Sequence, residues 1–69
     1  MSDTPAIARL RAQLVKCQTK IDHYNSVYEY KSKLPVAQVH LDEIKQYIKV
    51  EEDNISAIKA QIVELGGEA

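Results

Sequence analysis

Two runs of apolar residues at alternating three- and four-residue steps, with Pro35 between them, constrain this chain more than any other feature. The first run is Ile7, Leu10, Leu14, Cys17, Ile21, Tyr24 and Tyr28; the second is Leu41, Ile44, Ile48, Glu51, Ile55, Ile58, Ile62 and Leu65. On an α-helix, residues three and four apart share a face, so each run predicts a helix with one continuous apolar stripe. Such a stripe needs a second stripe to cover it.

Local signals place the helix ends. Ser2, Asp3 and Thr4 are candidate N-caps, and Pro5 suits the first helical position, where its missing N–H costs nothing. Pro35 disfavours helical backbone at Leu34 and removes an interior hydrogen bond. The expectation is a helix over 5–33, a turn over 33–36 with Ser32 as a possible cap, and a helix over 36–65 that Gly66 and Gly67 stop. Each helix is then about 30 residues and ~45 Å long.

A continuous helix kinked at Pro35 competes with a hairpin. The hairpin is favoured because the stripes match in length and the two halves differ in charge. Residues 1–35 carry six basic side chains against three acidic, and residues 36–69 carry three basic against seven acidic. One antiparallel register uses nearly every stripe residue. It sets Ile7 against Leu65, Leu10 against Ile62, Leu14 against Ile58, Cys17 against Ile55, Ile21 against Glu51, Tyr24 against Ile48, and Tyr28 against Ile44.

With 69 residues, the chain makes a single domain over 1–69, all-α, an antiparallel two-helix coiled-coil hairpin. Two helices bury little, and small helical scaffolds commonly gain burial by associating. A four-helix or larger bundle of identical chains is therefore expected. A second face for that association is read in Ala8, Ala12 and Val15 of the first helix and Tyr47, Val50 and Ala57 of the second.

Glu51 interrupts the second stripe. A carboxylate at a core position lowers stability but can specify register, and it needs a cation nearby; Lys20, adjacent to Ile21, is the candidate. Tyr24, Tyr28, Tyr30 and Tyr47 cluster toward the turn, and tyrosine suits contact with a partner protein because it combines area with a polar tip.

A net charge of -1 argues against binding nucleic acid through bulk electrostatics. The alternative is a strip on the first helix, Arg9, Arg11, Lys16 and Lys20, that would hold a nucleic acid, a nucleotide or another anionic ligand. Metal binding is not expected, since His40 with Glu43 and Asp22 with His23 form no repeated ligand set. Cys17 is the only cysteine, which excludes an internal disulfide, and its stripe position reads as a small buried hydrophobe.

No glycine-rich phosphate loop and no nucleophile with an evident base is present, so neither an enzyme nor a cofactor is expected. The stretch Met-Ser-Asp-Thr-Pro lacks the features of a secretion signal, and no apolar run reaches membrane-spanning length. These readings converge on a cytoplasmic, non-enzymatic module that binds itself and another protein as an assembly, adaptor or inhibitory component. A structural part of a large particle is the remaining option.

Overall fold

The computed structural model describes residues 4–68. It contains two helices, α1 (Pro5–Ser32) and α2 (Gln38–Glu64), packed side by side as a rod measuring 51 × 15 × 13 Å. Among the described residues there is no strand. The chain reverses between the helices, so Pro35 marks a hairpin turn and not a bend in one helix.

Thr4 caps α1: its Oγ1 accepts the Ile7 backbone N–H at 3.3 Å, with Pro5 in the first turn. The other candidates, Ser2 and Asp3, lie outside the described residues. Lys33 caps the C-terminal end, and the Lys33 and Leu34 amides donate to the carbonyls of Tyr30 and Lys31.

The second helix opens at Gln38, two residues later than expected. The Val36 amide donates to the Leu34 carbonyl at 2.8 Å, a tight turn centred on Pro35, and this turn occupies residues that would otherwise begin the helix. Ser32 does not cap α2. Its hydroxyl donates back to the Glu29 carbonyl within α1, while Ala37 stands at the cap position with no side-chain bond.

At the far end of α2 the chain closes in a Schellman turn. The Gly66 amide donates to Val63 O at 3.0 Å and the Gly67 amide to Ile62 O at 2.9 Å, with Gly66 at φ 89°. This turn alters one expected layer. Leu65 is 52% exposed, and Gly67 takes its place: a Cβ there would meet Ile62 Cγ2 at 2.7 Å and Ile7 Cδ1 at 3.2 Å. The closing turn carries Gly67 back against Ile62 and Ile7, and this backbone fills the layer that Leu65 would otherwise occupy.

Cross-helix contacts otherwise follow the expected antiparallel alignment. Lys20 meets Glu51, Tyr24 meets Tyr47, and Lys45 sits over Tyr28, a series that climbs α1 as it descends α2. Ile7, Cys17, Ile58 and Ile62 form the buried core, with Leu10, Leu14 and Ile55 packed against it. Toward the turn, Ile44 is buried while Tyr24, Tyr28, Leu41 and Ile48 are half-buried.

Candidate functional site

The hairpin has two long flanks, and helix spacing assigns side chains to each. From Tyr47, steps of three and four lead to Val50, Asn54, Ala57 and Gln61, an uncharged strip of about four turns along one edge of α2. Asn54, Ala57 and Gln61 line one wall of a shallow groove, and Gln13 and Lys16 of α1 line the other. Cys17 and Ile58 of the core form its floor. Tyr47 is 53% exposed and Val50 is 55% exposed, so the strip is uncharged and mixed, its apolar members Tyr47, Val50 and Ala57 interleaved with the amides Asn54 and Gln61.

The groove flank also carries an ion pair and an aromatic contact between the helices. Lys20 Nζ lies 3.8 Å from Glu51 Oε1. The rings of Tyr24 and Tyr47 sit 5.7 Å apart between centroids, and the His23 ring lies 6.0 Å from Tyr24. The Glu51–Lys20 pairing forms because Glu51 occupies the core column while Lys20 reaches in from its edge.

Glu51 is only 9% exposed, and its Oε2 is buried with no hydrogen-bond partner among the described residues. Cys17 shares this layer. Burial pushes its thiol above the ordinary range, a hydrogen bond to Glu51 and the charge of Glu51 push the same way, and Lys20 opposes them. A thiol so placed stays protonated at neutral pH and is a poor nucleophile. The layer therefore works as a polar seam in the core.

The six residues read from the sequence as one packing face fall on different sides of the hairpin. Tyr47, Val50 and Ala57 belong to the groove flank. Ala8 and Val15 follow Ile7 and Leu14 by one residue each, which rotates them to the opposite flank, and Ala12 lies on the outer face of α1. Their apolar or small character was legible, but the rotation that separates them appears only once the flanks of both helices are set side by side.

The strip of four basic residues is likewise divided. Arg11 lies on the flank away from the groove, where its guanidinium donates to the Glu68 carbonyl at 2.9 Å. Lys20 is drawn to Glu51. Arg9 and Lys16 are exposed along the groove side of α1.

The four tyrosines divide as well. Tyr24 and Tyr47 meet on the groove flank, Tyr28 lies under the Lys45 ammonium at 5.4 Å, and Tyr30 is 67% exposed. His40 and Glu43 approach to 3.9 Å in an exposed pair, and among the described residues no three His, Cys, Asp or Glu side chains converge as a metal ion would require.

Sequence reasoning missed Gln13, Asn54 and Gln61, the amide side chains that rim the groove. The available signal was position: all three sit directly beside a core column, on the edges that face each other when the helices run antiparallel. No protein-family model matches the chain, and neither a curated protein nor a solved structure does. Among the described residues, no helix is long and apolar enough to cross a membrane.

Proposed function

We propose that the chain is a non-enzymatic interaction module that associates with itself through the groove flank and, as a bundle, presents its remaining surface to another protein. One observation carries this reading: an uncharged strip from Tyr47 to Gln61 borders a groove whose floor is the hairpin's own core. Exposed apolar side chains set among uncharged polar ones, beside a groove that reaches the core, are suited to covering by another surface. The buried core supports the same reading, since among the described residues it amounts to five apolar side chains: Ile7, Cys17, Ile44, Ile58 and Ile62.

A four-helix bundle would cover the groove floor and supply the burial that two helices lack. Within such a bundle the exposed Tyr30 and Leu34 at the turn end remain available to a different partner.

Sedimentation equilibrium tests the association. The native chain sediments as a dimer or larger assembly at micromolar concentration, and Val50→Glu with Ala57→Glu reduces it to the monomer while α1 and α2 stay helical by circular dichroism. A native chain that sediments as a monomer throughout that range overturns the proposal.

A further inference from the structure

We infer that the second copy sits on the groove flank with its turn at the same end as the first, so that each α1 lies beside the partner's α2. This rests on the self-association proposed above and specifies its geometry. A face-to-face pair of hairpins can close about a two-fold axis in two ways. With the axis across the rod, turns lie at opposite ends, and α1 packs on its own copy while α2 packs on its own copy. With the axis along the rod, turns lie together, and all neighbouring helices are antiparallel pairs of α1 with α2.

Charge decides between them. The α1 edge of the groove flank bears Arg9, Lys16, Lys20 and His23, and carries no acidic residue in the same two columns. The α2 edge is uncharged from Tyr47 to Gln61 and bounded by Glu43 and Glu64. The crossed arrangement brings Lys16 and Lys20 against their own copies, and like charges across an interface suppress association. The arrangement with turns together sets these lysines beside the uncharged strip, where their aliphatic stems cover apolar surface while the ammonium groups reach water.

The same arrangement brings Arg9 to within about one helical turn of the partner's Glu64, since the Lys20–Glu51 and Tyr24–Tyr47 pairs, continued to the open end of the rod, set Arg9 level with Ile62. It also juxtaposes the basic half of each chain with the acidic half of the other. A flank 51 Å long and 15 Å across matches in scale the roughly 800 Å² that each partner gives to a standard interface.

Spin-label distances separate the outcomes, and the single native cysteine makes labelling simple. In a Cys17→Ser background, one label is placed near the turn through Ser32→Cys and, in a second protein, near the open end through Ala6→Cys. With turns together, both label pairs fall under about 30 Å, because packed helix axes sit ~8–10 Å apart. Distances near the 51 Å rod length at both sites overturn the geometry and leave self-association standing. A monomeric mass for the unsubstituted chain, together with no dipolar coupling in either labelled protein, overturns both. Adding Val50→Glu to the labelled chain abolishes the coupling and adding Val15→Glu preserves it; the reverse pattern overturns the choice of flank.

Discussion

At the scale of single residues, Glu51 is the feature most at odds with simple packing. It occupies a core column, one carboxylate oxygen has no hydrogen-bond partner among the described residues, and Lys20, at 3.8 Å from the other, keeps its head largely in water. A buried charge so weakly compensated destabilises the fold, and an apolar residue of similar size removes that cost. Glu51→Leu therefore raises unfolding free energy by about 1–4 kcal/mol in urea titration, whereas Lys20→Ala lowers it by about 1 kcal/mol, a figure held down by the exposure of Lys20. A Glu51→Leu chain less stable than the native one would refute this view of the layer. The sequence revealed both partners, because Glu51 breaks an otherwise apolar column and the register puts Lys20 beside it. It did not reveal that Cys17 shares the layer, since the alignment set Cys17 against Ile55 and the stagger of facing side chains is a three-dimensional property.

At the scale of elements, the two helices were legible from periodicity and their ends from proline and glycine, with errors confined to the turns. The start of α2 moved because the Leu34–Val36 turn holds residues that propensity alone assigns to the helix. Leu65 moved because the Schellman turn carries the chain back over Ile7, a tertiary contact that no local pattern encodes. Gly67 is thus a packing residue as well as part of a stop signal. Gly67→Ala forces a methyl group against fully buried Ile62 and against Ile7, and lowers stability by about 1–3 kcal/mol, the usual range for overpacking. Thermal unfolding of that variant supplies the check, and an unchanged midpoint would show that the closing turn contributes nothing to the core.

At the scale of the whole molecule, the rod pairs a narrow buried core with a groove that leaves part of that core, Cys17 and Ile58, at its floor. Composition and spacing pointed to a need for more burial, and they singled out Tyr47, Val50 and Ala57 as part of one packing face; these three lie along a single edge of α2. They also joined Ala8, Ala12 and Val15 to it, because residue type says nothing about which flank of a hairpin a helix edge will face. The same limit merged Arg11 with Lys20, though one reaches the Glu68 carbonyl and the other Glu51. Stability that depends on a second copy must follow mass action. The most direct measurement is thermal unfolding of the native chain, followed by helical circular dichroism across a hundredfold range of protein concentration. A midpoint that climbs steadily with concentration is the expected result, and one that stays fixed over the whole range would mean that the hairpin stands alone.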